Sequence, residues 1–314
     1  MREECLKILM NLLHPIQEIC QERFGIPSPY PWQLLIISGV LESLFSEDDE
    51  RPPHQRIAVL PTGAGKSLCW MLPAALHSGL TIAVFPLLSL MRDQSRRLSK
   101  AQIPHLVFQG GMSSQEKSQL WRKLEKREIH VVLTNPEILD SPINIQHLGQ
   151  FQPDFLVVDE THTVSQWGES FRPACAHLGQ AVEKWNPRAV LALTATASPS
   201  LRNRIVQLLF HGQEPEQAIA NADRPEIHYG VIPTLSRMHT LERLAREKTR
   251  PMVIFGRTRS QVELTARTLR HRLRSKNIMF YHAGLSPQEK LYLEEWFLES
   301  KEGILCATSA YGIV

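Results

Sequence analysis

Two short segments carry residue types suited to phosphate chemistry. The first is PTGAGKS at 61–67. Gly63 and Gly65 leave the backbone free to curl around an anion, with N–H groups and the following helix N-terminus facing the charge. Lys66 would reach the β- and γ-phosphates of a nucleoside triphosphate, and Ser67 would ligate Mg²⁺ through its hydroxyl. Thr62, Gly63, Gly65, Lys66 and Ser67 are thus the loop's candidate nucleotide-binding residues. Where the strict pattern has its first glycine this chain has Leu60, so the loop is read from its context as well as its letters. The second segment is DETH at 159–162, closing the apolar run FLVVD. Asp159 is placed to hold the Mg²⁺ shell, and Glu160 to orient and deprotonate an attacking water. Phosphoryl transfer is mostly positioning and charge neutralisation, so these few groups nearly suffice on one side of a site. An acidic pair ending a strand is by itself more often a turn or a cap. Together with PTGAGKS it reads as half of an ATP- and Mg²⁺-dependent site.

Such residues need strand ends to hold them. From residue 57 onward, IAVL, TIAVF, HLVF, HVVLT, FLVVD and VLALT alternate with helical stretches such as SLMRDQSRRLSKA and SQEKSQLWRKLEKRE. Continuous apolar runs between helices mean βαβ units and a parallel sheet covered on both faces. PEQAIANADRPEIHYGVIP (215–233) lacks helical periodicity and reads as a connector. A second series follows, with MVIFG, IMFYH and ILCAT as its strands, and ends at Val314. The expected organisation is an N-terminal extension and first α/β domain over 1–222, then a linker and an incomplete second domain over 223–314.

Bulk properties restrict the alternatives. The 314 residues allow about two domains, and 43% apolar with 21% charged residues is an ordinary globular composition. A net charge of +3, from 35 Lys and Arg against 32 Asp and Glu, does not point to nucleic acid, so any basic footprint must be local. The five cysteines form no C-x-x-C pair and read as small buried thiols rather than a zinc site or disulfide framework. MREECLKILMNLLHPIQEIC reads as an amphipathic helix, not a signal peptide, and no run reaches the ~18 apolar residues of a membrane span. The expectation is a cytoplasmic protein, nucleoid-associated if bacterial, with no membrane partner.

PTGAGKSLCW, FPLLSLMRDQ, TNPE at 134–137, DETHTVSQWGESFRP and ALTATAS, followed by DRPEIHYG, IFGRTRSQVE and YHAGL, resemble in order and spacing the RecQ family of superfamily 2 DNA helicases. The resemblance implies two RecA-like parallel-sheet domains of the P-loop NTPase type. It also implies ATP-driven 3′-to-5′ translocation on single-stranded DNA, with unwinding of duplex or fork DNA in repair and recombination. SQWGESFRP is its most diagnostic piece; a P-loop kinase or GTPase would explain neither that segment nor a second βαβ series. Gln33 stands where the family places an adenine-contacting glutamine, although Tyr30 occupies the place of the usual basic residue. His162 matches a histidine that would couple the site to the TAT segment, Thr194 to Thr196, while Thr161 replaces the family's usual alanine.

The resemblance also implies where DNA would lie. Leu88 and Ser89, with Thr134 and Pro136, match backbone-contact motifs, although turn chemistry and capping explain the same residue types. Gln166, Trp167, Phe171 and Arg172 would form an aromatic-rich loop that senses single-stranded DNA, unless the aromatics only anchor the loop. The helix at 260–276, with Arg267, Arg270, Arg272, Arg274 and Lys276, reads as a solvated face, with DNA attraction the lesser alternative. The family's downstream Q-x-x-R-x-G-R segment, which reaches the γ-phosphate, does not occur before Val314. Loss of such an arginine costs ~10³–10⁵ in rate. Two expectations therefore stand. One is a helicase cut short within its second domain, completed elsewhere or by a second polypeptide. The other is an ATP- and DNA-binding remnant without unwinding activity of its own.

Overall fold

The computed structural model describes residues 14–46, 54–162, 178–196, 198–220 and 227–311. The chain divides into two compact units at about residue 224. In the first, seven parallel strands form one sheet in the order β3-β4-β2-β5-β6-β1-β7. They are β1 (His54–Val59), β2 (Thr81–Val84), β3 (His105–Phe108), β4 (Val131–Thr134), β5 (Phe155–Val158), β6 (Ala189–Thr194) and β7 (Glu216–Ile219). The β-branched runs form the first six. β2, β4, β5 and β6 are buried along their whole length, as continuous apolar runs require when helices cover both faces.

Alternation along each strand splits the core in two. Ile57, Val59, Ile82, Val84, Leu156, Val158, Val190 and Ala192 pack on one face. Ala58, Ala83, Val131, Leu133, Val157, Leu191 and Leu193 pack on the other, because successive side chains of a strand point to opposite sides.

β7 corrects the sequence reading. EQAI, taken there as part of a connector, pairs with β1 in parallel register from Arg56↔Glu216 to Val59↔Ile219. Its first two residues are polar and exposed, so an edge strand without an apolar run was invisible to periodicity. Of the N-terminal amphipathic helix, residues 14–24 are helical, and residues 1–13 lie outside the described residues.

The second unit holds β8 (Met252–Phe255), β9 (Ile278–Tyr281) and β10 (Ile304–Ala307), all parallel, in the order β8-β10-β9. Ile254, Ile278, Ile304 and Cys306 pack with Val262, Ala266 and Leu269 of the helix Arg259–Leu273. That helix is largely paired within the protein. Arg267 meets Glu263, Arg272 meets Glu242, and Arg270 donates to the Ile278 carbonyl and lies over Phe280. Cys20, Cys69 and Cys306 are free and buried, and burial pushes the Cys69 and Cys306 thiols up to about 12. No helix among the described residues is long and apolar enough to cross a membrane.

Candidate active site

The strand order fixes the site. The phosphate loop leaves the C-terminal end of β1 and DETH leaves that of β5, with β6 hydrogen-bonded between them. Ligands of open parallel sheets bind outside such carboxyl ends. Thr194, the last residue of β6, therefore lies between the two motifs, and its carbonyl accepts from Leu60 N at 3.0 Å.

The loop's glycines work as the sequence required. Gly63 and Gly65 have φ of 84° and 72°, left-handed values that disfavour any side chain. The loop closes with tight bonds, Ala64 N to Pro61 O and Leu68 N to Gly65 O, both 3.1 Å. The amides of Gly65, Lys66 and Ser67 donate to no backbone carbonyl among the described residues. They are the donors that a helix start (here Leu68–Leu76) leaves for an anion. Thr62, counted from sequence with the nucleotide-binding residues, is exposed in the turn that leads into Gly63, and Gly63 and Gly65 are exposed with it.

A neighbouring helix, Pro31–Leu44, braces the loop. Arg56 of β1 is buried, donates to Leu35 O at 2.7 Å and pairs with Glu216 of β7. It passes over Gly39, where a Cβ would lie 2.7 Å from its Nη2. At the helix start Gln33 is only 3% exposed. Its Nε2 donates to the carbonyls of Ala64 and Gly65, each at 3.1 Å, and its Oε1 accepts from Tyr30 N at 2.8 Å. The glutamine expected to contact adenine thus bonds the loop backbone. Beside it, Tyr30 and Trp32 stack at 4.6 Å between ring centroids and 14° between planes.

Across β6, Glu160 has a φ of 48°, a left-handed turn uncommon outside glycine. It follows Asp159, whose Oδ1 accepts from Glu160 N at 2.9 Å. Lys66 Nζ donates to Glu160 Oε1 at 3.1 Å, and both side chains are largely shielded from water. His162 Nδ1 lies 3.1 Å from Glu160 Oε2 and 3.2 Å from Thr194 Oγ1. Thr194 Oγ1 in turn donates to Thr196 O at 2.9 Å. A carboxylate only accepts and the threonine proton is already directed to Thr196, so Nδ1 of His162 carries the hydrogen. Thr161, noted from sequence only as a replacement for alanine, is fully buried; its N and Oγ1 both donate to Leu193 O, at 2.9 and 3.1 Å. It straps the end of β5 to β6.

The two carboxylates behave oppositely. Burial raises Asp159 to about 6, helped by the Glu160 charge. Burial also pushes Glu160 upward, but hydrogen bonds from His162 and Lys66 and the Lys66 charge outweigh it, holding Glu160 below the usual range. No Lys, Arg or His nitrogen lies within 4.0 Å of the Asp159 carboxylate among the described residues. A buried carboxylate so placed fits a hard divalent cation that takes one or two protein oxygens, and Ser67, at the start of the helix after the phosphate loop, is the hydroxyl that the sequence pairs with it.

Other expected residues divide. Leu88 and Ser89 are exposed at the start of the helix Leu88–Lys100. Thr134 and Pro136, expected at a DNA backbone, are turned inward: Thr134 is fully buried and donates to Phe108 O at 2.9 Å, and Pro136 is buried at the start of the helix Pro136–Leu139. Thr134 thus ties β4 to β3, and Pro136 fills the first turn of its helix. Thr196 is exposed. Gln166, Trp167, Phe171 and Arg172 lie outside the described residues.

Comparisons with known proteins agree with this geometry. Residues 36–204 match the DEAD/DEAH box helicase family. The probable ATP-dependent DNA helicase RecS of Bacillus subtilis (strain 168) is 30% identical over 302 residues, covering 95% of this chain and 58% of that protein. The ATP-dependent DNA helicase RecQ of Pasteurella multocida (strain Pm70) is 31% identical over 258 residues, covering 82% and 40%. The chain thus spans about half the length of the curated relatives it matches. Among solved structures, the DUF1998 helicase MrfA bound to DNA has a TM-score of 0.70 at 20% identity, covering 94% of this chain and 44% of that one. Mss116p bound to single-stranded RNA and AMP-PNP has 0.65 at 17%, covering 96% and 66%. These two establish the fold alone. The chain belongs to the DEAD/DEAH box helicase family, among its RecQ members.

Proposed function

We propose that this chain carries the ATP-hydrolysing core of a RecQ-type DNA helicase, coupling hydrolysis to 3′-to-5′ movement on single-stranded DNA and to duplex unwinding in repair or recombination. The observation that carries this reading is the unbroken contact chain Lys66–Glu160–His162–Thr194–Thr196. It links the phosphate loop to the rim of the sheet through the group suited to activating water.

In this reading Lys66 leaves Glu160 for the β- and γ-phosphates of ATP, while the amides of Gly65, Lys66 and Ser67 cradle the same anion. Glu160, held ionised, accepts the proton of the attacking water; His162, through its Nδ1–H, orients that carboxylate. Asp159 and the Ser67 hydroxyl would hold Mg²⁺, which when bound supplies positive charge to the phosphate oxygens. DNA would meet Leu88 and Ser89 through its backbone, and Gln166, Trp167, Phe171 and Arg172 as the sensing loop. Its presence would be relayed to Glu160 through Thr196, Thr194 and His162.

The test is steady-state ATP hydrolysis with and without single-stranded DNA. DNA should stimulate turnover, and Lys66→Ala or Glu160→Gln should lower it by ~10²- to 10³-fold, the scale of losing a transition-state group. Intact ATP binding with no stimulation by DNA would refute the coupling.

A further inference from the structure

The far end of the first unit's sheet holds a cavity of about 830 Å³, a volume ordinary for a small-molecule site. It lies at the N-terminal ends of β2, β4 and β5, lined from within residues 75–80, 124–130 and 150–154, whereas the phosphate loop and DETH stand at C-terminal strand ends. Leu80, Leu124 and Ile129 give it buried apolar walls, and Phe151 adds a ring stacked on Trp121 at 6.2 Å and 6°. Part of the polar lining is already engaged. Asp154 meets His77, Oδ2 to Nε2 at 3.1 Å, and Arg188, 3.7 Å from Oδ1. A Cβ on Gly79 would overlap both His77 Nε2 and Asp154 Oδ2. His130, Gln150 and Gln152 are the reverse: among the described residues their side chains have no hydrogen-bond partner. Burial, then the charges of Arg23 and His77, hold His130 below the usual histidine range, so its neutral ring offers one donor and one acceptor.

Charge around the cavity nearly cancels. Glu125 and Arg127 both line it, with opposite signs. The helices Leu68–Leu76, Ser114–Glu125 and Pro142–Gly149 all end here, and their C-terminal partial charges offset the neighbouring Arg23. What remains uncommitted is two amides and a neutral imidazole, groups that both donate and accept. We propose that this cavity is a second ligand site, for a small uncharged aromatic molecule carrying a hydrogen-bond donor and acceptor side by side. The apolar walls and Phe151 take the ring, and His130, Gln150 and Gln152 take the polar edge, as side-chain amides do with the edges of heterocycles. An anion would meet three helix C-termini, and a cation would meet Arg127. The rim is preformed. Arg127 N donates to Leu124 O at 2.9 Å and Gln152 N to Gly149 O at 3.0 Å, which fixes the turns past two helix ends, so binding orders few groups. The cavity shares no residue with the nucleotide site.

The test titrates the full chain with three probes of one shape, benzamide, benzoate and benzylammonium, followed by saturation-transfer NMR at neutral pH. Benzamide should bind saturably and at least ~10-fold more tightly than either ion, since an unpaired charge is costly to bury. His130→Ala combined with Gln150→Ala should weaken benzamide by ~5- to 100-fold, the size of two lost hydrogen bonds. Ser78→Phe, which adds bulk at an exposed position of the lining, should weaken it as well. Parental urea midpoints in these variants would show that the first unit still folds. Lys66→Ala should bind benzamide as the parent does. No saturable benzamide binding up to ~10 mM, the weakest affinity expected of so small a ligand, would overturn the proposal. So would a smaller margin over either ion, or parental benzamide affinity in both the double variant and Ser78→Phe. Binding lost only in Lys66→Ala would assign the probe to the nucleotide site and equally overturn it.

Discussion

Gly65→Ala isolates the brace between Gln33 and the phosphate loop. Gly63 and Gly65 share a left-handed φ, of 84° and 72°, which costs a residue with a Cβ roughly 1–2 kcal/mol. They differ in surroundings. A Cβ on Gly63 meets nothing within 4 Å, whereas one on Gly65 would come 2.3 Å from Gln33 Nε2. The alanine must therefore displace the Gln33 amide from two carbonyls, each bond contributing about 0.5–1.5 kcal/mol net. Gly63→Ala should cost about 1–2 kcal/mol, and Gly65→Ala a further ~1–3 kcal/mol. In a Gln33→Ala background that excess should vanish, as a double-mutant cycle on a contacting pair would register. Urea unfolding followed by tryptophan fluorescence suits the measurement, since Trp32, Trp70, Trp121, Trp167 and Trp185 precede the division near residue 224 and only Trp296 follows it. Equal costs for the two alanines, or an excess that survives Gln33→Ala, would refute the brace.

Acid should loosen the β1–β7 edge. Burial and then the Arg56 charge, against the opposing pull of Glu216, lower His54 to about 4. A depressed histidine pKa means that the unfolded chain takes up the proton first, so stability is whole above pH ~6.5 and falls as the pH drops toward 4, by up to about 3 kcal/mol. His54→Gln should flatten that part of the stability profile measured by urea unfolding; an unchanged slope between pH 6.5 and 4 would argue against it. At the other end of β6, Thr194→Val keeps the shape but removes the hydroxyl between His162 and Thr196. ATP binding should stay within ~2-fold while stimulation of hydrolysis by single-stranded DNA drops at least ~10-fold. Full stimulation in that variant would exclude the β6 route.

Sequence reasoning reached furthest where residue type and backbone agree. The apolar runs became β1 to β6 and β8 to β10 because continuous burial leaves a pattern in the letters. Asp159 and Glu160 stand beside the phosphate loop because parallel strands end together. The basic helix was legible only as a helix: Arg267 and Arg272 pair with glutamates, and Arg270 bonds a backbone carbonyl, contacts that spacing along the helix did not predict. What escaped notice depends on direction. Thr134 closes a strand, and whether its hydroxyl faces solvent or Phe108 O is decided by packing, not by its place in a motif. Gln33 was located by resemblance, but which atoms its amide meets is a tertiary fact. Tyr30 registered only as a departure from the family, and YPW gave no sign of a ring stack until the helix start was fixed.

The placement of β6 also makes the sheet a gauge. The ends of β1 and β5 are two strand spacings apart, about 10 Å, and backbone hydrogen bonds along β6 hold that separation. Side-chain substitutions can alter which groups stand at each end, but the gap itself belongs to the main chain. The length of a polyphosphate able to touch both ends is therefore set by the fold.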